Sequence, residues 1–308
     1  ANHGVDFILQ KGEIHSLLGE NGAGKTTLMR ILSGFCRPDA GHILINGRPT
    51  VFNSPRDALR CGIGMIHQHF QLVHNFTVAE NISLGMPAGV RLRMDAFEKQ
   101  VASLSDQYGL AIDSRARIRQ LSVGEQQRVE ILRMLFRKVD ILIMDEPTAV
   151  LAPQETERLF AVMRRMRQEG RSIVFITHKL EEVLEISDCI TVLRRGKVMS
   201  TVRPDHLPEK GRKIGTELAR MMVGREVILE IGRKPIRTET LLLEVKDLTV
   251  RGDRGQPGVQ DISFSIRRGE IFSVLGVAGN GQRELVEAVA GLRPIEKGRI
   301  LLDGEDIS

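Results

Sequence analysis

The chain has 308 residues, 42% of them hydrophobic, enough for one large or two ordinary domains with real cores. No stretch approaches the ~20 apolar residues of a membrane span, no charged-then-apolar signal segment opens the chain, and Cys36, Cys61 and Cys189 are scattered, which excludes a disulfide framework and a cysteine-based zinc site. The net charge of +5 falls on Lys and Arg spread among 39 acidic residues, so solvated faces and a polyanionic small ligand account for it better than a nucleic-acid partner. A soluble chain in a reducing cytoplasm is the expectation.

In chain order, Glu13 to Leu18 predicts a short buried strand and Thr26 to Ser33, with Leu28, Ile31 and Leu32 at helical spacing, a helix. Between them lies the loop Gly19-Glu-Asn21-Gly22-Ala23-Gly24-Lys25-Thr26-Thr27. G-x4-G-K-T in strand–loop–helix context specifies a backbone cradle for phosphates. Amides of Gly22 to Thr27 point at the anion, the helix start adds its dipole, Lys25 supplies a full charge and Thr26 a hydroxyl for magnesium. Next come His67-Gln68-His69 and His74. Two His at i and i+2 on a strand would share a face and could bind metal, but no third ligand is evident, and Gln68 is the informative residue.

From about Thr77 to Arg137 the pattern turns helical, as in an inserted subdomain. Within it, Ser122-Val-Gly124-Glu125 is a capping box for a helix carrying Val129, Leu132 and Phe136. A capped start with a small Gly124 and a hydroxyl is also an anion site, suited to a γ-phosphate presented by a second domain. Asp140 to Met144 and Ser172 to Thr177 are apolar runs typical of strands buried on both faces in a parallel sheet, separated by a helical segment from Gln154 to Gln168. Asp145, at a strand end, is placed to hold magnesium, and Glu146 beside it to polarise an attacking water as general base. His178, directly after the second strand, is a candidate γ-phosphate contact. Ile190 to Thr201 reads as a hairpin turning at Arg194 to Lys197.

An internal repeat organises the whole. Shifting the sequence by 257 residues aligns Gly12, Gly19, Gly22, Gly24, Gly34, Gly41 and Gly47 with Gly269, Gly276, Gly279, Gly281, Gly291, Gly298 and Gly304 without a gap. The period is far longer than a solenoid repeat, so a domain is duplicated. The expected division is a nearly complete first domain over 1–224 with its helical subdomain at about 77–137, a linker over 225–240, and the opening part of a second copy over 241–308. Both ends read as truncated: Leu241 to Pro257 has no counterpart before Ala1, and Ser308 corresponds to Val51.

Gly19 to Thr27 (Walker A), Met65 to Phe70 (Q-loop), Leu121 to Leu132 (signature), Ile141 to Pro147 (Walker B) and Thr177-His178-Lys179 (switch histidine) together resemble the tandem ATP-binding subunits of bacterial ABC importers for simple sugars and nucleosides, along the whole chain. Met221 to Arg225 resembles that family's close of the first domain. The resemblance implies an α/β P-loop NTPase fold with a RecA-like core, and ATP and Mg2+ as ligands. It implies a head-to-tail pair of nucleotide-binding domains in one polypeptide, each sandwiching ATP between its own Walker A and the other's signature. Gln68 would sense the γ-phosphate, reach the magnesium and face transmembrane permease subunits. An extracellular solute-binding lipoprotein would be an indirect partner, and the location the cytoplasmic face of the plasma (inner) membrane.

Departures from the family pattern carry information. The second loop has Gln282 where Lys belongs and Arg283 where the magnesium-binding hydroxyl belongs, so hydrolysis is expected at the first loop. The signature has Val123 and Glu125 where Gly and Gln are usual, and Ala152 stands where an inter-site Asp is common. The adenine-stacking aromatic would precede Ala1. Two other classes fit less well: a cytosolic ABC ATPase, because no long basic linker or cysteine-bearing insertion is present, and a P-loop kinase or GTPase, because no N-K-x-D motif follows. His67 to Phe70, Glu125 to Leu132 and Pro147 to Val150 lean the solute toward nucleosides over ribose- or galactose-type sugars.

Overall fold

Apolar runs with almost no polar interruption build the central sheet, because a strand covered on both faces has no solvent side to present. A computed structural model of the chain describes residues 2–86, 93–204, 212–224, 240–252, 256–276 and 280–308. It forms two compact units, Ala1–Ile228 and Leu229–Ser308. The expected linker 225–240 lies, except for Thr240, outside the described residues, as do 87–92 of the expected helical subdomain.

The first unit begins with β1 (Ile14–Leu18), α1 (Lys25–Leu32), a hairpin of β2 (Ile43–Ile45) and β3 (Arg48–Thr50), α2 (Pro55–Arg60) and β4 (Ile63–Ile66). Three helices follow, α3 (Val78–Ser83), α4 (Met94–Gln107) and α5 (Val123–Phe136). Then come β5 (Ile141–Asp145), α6 (Pro153–Gln168), β6 (Ser172–Thr177), α7 (Leu180–Ile186), the hairpin β7 (Cys189–Arg194) and β8 (Lys197–Val202), and α8 (Arg212–Val223). The sheet order is β4-β5-β6-β1-β7-β8, parallel except for β8. Every residue of β1 and β6 is buried.

Local chemistry explains the helix starts. Thr77 and Ser122 both close capping boxes, the latter with Glu125 donating N–H to Ser122 Oγ at 3.3 Å and Ser122 donating N–H to Glu125 Oε2 at 2.7 Å. Pro153 opens α6 one residue before the expected start, at a position whose N–H has no helical partner to lose. The α3–α5 helices share one core with α6 and one face of the sheet, through Val78, Phe97, Ile118, Leu132, Phe160 and Phe175. A second core beneath the glycine-rich loop gathers Leu17, Leu28, Met29, Ile143, Ile176 and Leu193.

The second unit contains β9 (Leu241–Arg251), β10 (Pro257–Arg267), α9 (Gln282–Val289), β11 (Lys297–Leu302) and β12 (Glu305–Asp306), with antiparallel order β10-β9-β11-β12. Shifted by 257, α9 has the bounds of α1, and β12 begins where β3 does. Backbone details repeat too: Gly24 and Gly281 have φ 103° and 90°, Asn46 and Asp303 φ 51° and 50°. Among the described residues two elements do not repeat, and one is β10, whose counterpart positions up to Gln10 form no strand. The other is β1, whose counterpart, Ile271 to Leu275, is not a strand, whereas β1 itself is paired on both sides by β6 and β7.

Candidate functional site

Four neighbouring parallel strands, β4, β5, β6 and β1, deliver the candidate residues from their carboxyl ends: Gln68, Asp145 with Glu146, His178, and the 19–27 loop. The ends are level, with Asp145 opposite Ile176 and Leu18 opposite Thr177. A crevice outside the carboxyl ends of parallel strands is the usual ligand position in such sheets.

In the loop, Gly24 sits at φ 103° as the N-cap of α1, with no side-chain cap, leaving the first amides of the helix directed into the loop. Ala23 is buried, and Asn21, Gly22 and Thr26 are exposed on the rim, with Thr27 half-buried. Lys25 is 5% exposed and folds back: Nζ donates to Gly19 O at 2.8 Å and Glu20 O at 3.1 Å. Burial lowers its pKa, and the nearby Glu146 and Asp145 carboxylates oppose that shift. A buried ammonium satisfied only by loop carbonyls is a charge held ready for an anion.

Asp145, also 5% exposed, has its pKa raised chiefly by burial and further by Glu146, while a hydrogen bond from Thr26 and the charges of Lys25 and Arg30 pull it down. Its backbone neighbour is unusual. Glu146 has φ 48°, a left-handed conformation that costs a non-glycine residue roughly 1 kcal/mol or more. Its N–H donates to Ile176 O at 3.0 Å, which pins it to β6 and turns its carboxylate to His178, Nδ1 to Oε1 3.2 Å.

Gln68 is exposed in the segment after β4. Because β4 ends at Ile66, His67 and His69 are not alternate residues of a strand, and the shared-face argument for a metal does not apply. His67 instead packs edge-on against Phe35 at 5.1 Å, with its pKa lowered first by burial, then by Arg30 and Arg133. Among the described residues no group of three or more His, Cys, Asp or Glu could hold a metal ion.

Ser122 and Gly124 lie at the start of α5, not in a segment that follows a strand. The Ser122 hydroxyl is engaged in the capping box, and Gly124 is buried where a Cβ would collide with Glu155 of α6. Val123 between them is 46% exposed.

Three groups that the motifs did not announce complete the surroundings. Glu182 of α7 accepts from Thr148 at 2.7 Å and Thr177 at 3.1 Å and pairs with Lys179 at 2.9 Å, tying the 146–149 turn to the 177–179 turn. Its position three residues after Lys179 on a helix start was the available signal. The buried pair Glu130–Arg133 of α5 grips the backbone of Gln71: Oε1 accepts the N–H at 2.8 Å and Nη1 donates to the carbonyl at 2.9 Å. Asn2 donates to Gly24 O at 3.3 Å.

The ABC transporter family profile matches residues 2–149. The nucleoside import ATP-binding protein NupA of Lactococcus lactis subsp. cremoris is 48% identical over 310 residues, which span 100% of this chain and 60% of that protein. The ribose import ATP-binding protein RbsA 1 of Rubrobacter xylanophilus is 45% identical over 307 residues, 99% of this chain and 59% of that protein. The chain therefore spans about three-fifths of the length of these curated relatives. Among solved structures, cbiO1 from Clostridium perfringens, part of the ABC transporter complex cbiONQ, superposes with a TM-score of 0.58 at 28% identity, covering 67% of this chain and 82% of its own. With a glycine-rich loop, paired carboxylates and a histidine on adjacent strand ends, and with these relatives along its length, the chain carries an ABC transporter family domain over residues 2–149 and has the P-loop α/β fold of ATP-binding cassettes.

Proposed function

We propose that this chain is part of an ATP-hydrolysing subunit that powers import of a nucleoside, or failing that a ribose- or galactose-type sugar, through transmembrane permease subunits. Its place would be the cytoplasmic face of the plasma membrane, peripheral, with an extracellular solute-binding lipoprotein as indirect partner. The carrying observation is that the Lys25 ammonium, the Asp145 and Glu146 carboxylates and His178 form one connected group, coupled by charge and by the 3.2 Å Glu146–His178 contact. Relatives named for nucleoside and guanosine import, at 48% and 46% identity, support the nucleoside reading.

Each residue has a role that its surroundings support. The Gly22 to Thr27 amides and Lys25 bind the β- and γ-phosphates. Glu146, held in its strained conformation, accepts the proton of the attacking water, and His178 orients that carboxylate and contacts the γ-phosphate. Thr26, Asp145 and Gln68 offer only oxygen donors on their acceptor sides, and Asp145 is a buried carboxylate with incomplete cationic compensation, so the set fits a hard divalent cation. Magnesium, when bound, would neutralise charge on the phosphate oxygens. Ser122 and Gly124, at the start of α5, would close over nucleotide held by a second nucleotide-binding domain of the full-length protein.

The test is Glu146→Gln in the full-length protein. Turnover should fall about 10²–10⁴-fold, the scale of a general base, while ATP binding persists. An unchanged rate would remove Glu146 from that role. The 308-residue chain should bind nucleotide with little steady-state turnover, and a full rate from it would refute the composite-site reading.

A further inference from the structure

The amino-terminal segment is stitched to the glycine-rich loop by three hydrogen bonds. His3 N–H donates to Gly196 O at 2.8 Å, Gly196 N–H donates to Ala23 O at 2.9 Å, and Asn2 Nδ2 donates to Gly24 O at 3.3 Å. The β7–β8 turn thereby bridges residues 2–3 to the cradle. Asn2 packs so closely on the left-handed Gly24 that a Cβ there would collide with its Oδ1, an atom that is buried and has no hydrogen-bond partner. A buried, unsatisfied amide oxygen costs free energy, so a carboxamide at this point needs a reason beyond packing.

The second copy supplies a comparison within the same chain. Shifted by 257, Asn2 becomes Val259, which is 7% exposed and packs its Cγ2 against Gly281, the counterpart of Gly24. A valine thus satisfies the packing around the same left-handed glycine. The copy that has lost the lysine, with Gln282 in place of Lys25, also lacks the carboxamide.

We propose that Asn2 is a positioning residue for the triphosphate cradle. The Gly24 carbonyl is held twice, by Asn2 Nδ2 and by the first helical bond from Leu28 N–H at 3.0 Å. In a trans peptide the next N–H points opposite to that carbonyl, so anchoring Gly24 O on the helix side turns the Lys25 amide toward the bound phosphate. The carboxamide acts through the Gly24–Lys25 peptide. This rests on reading 19–27 as the ATP cradle.

The experiment is calorimetric titration of the full-length protein and its Asn2→Val, Asn2→Ser and Lys25→Ala variants with Mg-ATP and Mg-ADP. Asn2→Val should weaken both nucleotides about 5-fold, the worth of one neutral hydrogen bond, without moving the nucleotide-free Tm. Asn2→Ser, which keeps a donor, should recover part of that loss. Unchanged affinity in Asn2→Val, while Lys25→Ala loses binding, would overturn the role of Asn2 and leave the ATP reading standing. Parent-like affinity in Lys25→Ala would instead sink the cradle itself. Loss of affinity and Tm together in Asn2→Val, unrelieved by Ser, would reduce Asn2 to a packing residue.

Discussion

Asp145 is a carboxylate placed against its own interest. Burial and the adjacent Glu146 both raise its pKa, so the folded chain prefers its protonated form more than the unfolded chain does. For a raised acid, the stabilising contribution is fully present below the unfolded pKa of about 3.9 and is lost as pH rises through the folded value. At neutral pH the ionised group therefore costs stability. Asp145→Asn should raise the Tm of the nucleotide-free protein at pH 7 by a few degrees, with the gain shrinking as the pH approaches the carboxylate range. Thermal scans across pH check this, and a lowered Tm at pH 7 would contradict the burial argument. The same variant should lose the magnesium dependence of ATP binding, since stability and cation binding oppose each other at this position. Glu146 shows the same trade in its backbone, where φ 48° is tolerated because the Ile176 carbonyl fixes it.

The α5 helix is where several segments meet. Its start carries the capping box and the tight Gly124–Glu155 approach to α6, and its middle carries the Glu130–Arg133 pair that holds Gln71, three residues beyond Gln68. Glu130 is 1% exposed, and burial raises its pKa despite Arg133. Removing one member of such a pair strands a buried charge. Glu130→Ala should cost about 3–5 kcal/mol, and the double replacement Glu130→Met with Arg133→Met considerably less. Urea unfolding of the two variants makes the comparison, and equal losses would mean the pair is not isolated from solvent as found. The pairing is invisible to periodicity, because Glu130 and Arg133 look like a solvated i,i+3 pair. Only the packing of α5 against the 71–73 segment takes them out of water.

The duplication sets the properties of the molecule as a whole. In the first unit Ile14, Leu17 and Leu18 are 0% exposed between β6 and β7. Their second-copy counterparts Ile271, Val274 and Leu275 are 82%, 45% and 93% exposed. The difference is one of pairing, since β1 is covered by β6 and β7 on its two edges and 271–275 is not part of a strand. Replacing Ile271 and Leu275 with Ser in this 308-residue chain should reduce hydrophobic-dye binding and self-association without lowering its Tm. A fall in Tm would show that the run is packed in solution. The opening segments differ, since β9 gives β10 and β11 a ladder, whereas Val5, Phe7 and Leu9, half-buried in alternation, form no ladder among the described residues.

Local pattern carried much of this. The strand–loop–helix around Lys25, the capping box at Ser122, the buried runs that became β5 and β6, and the hairpin at Arg194 to Lys197 are all dictated by near neighbours in sequence, and the fold agrees with them. His67 and His69 lie beyond β4, which stops at Ile66, a boundary that residue alternation does not mark. Asn2, Glu182 and the Glu130–Arg133 grip act on residues brought near by strand order and helix packing, and no spacing rule connects Asn2 to Gly24. Chain chemistry fixes which groups are present and how each short segment folds, while non-local packing fixes their desolvation, and desolvation decides whether a charge is idle on a surface or poised in a site.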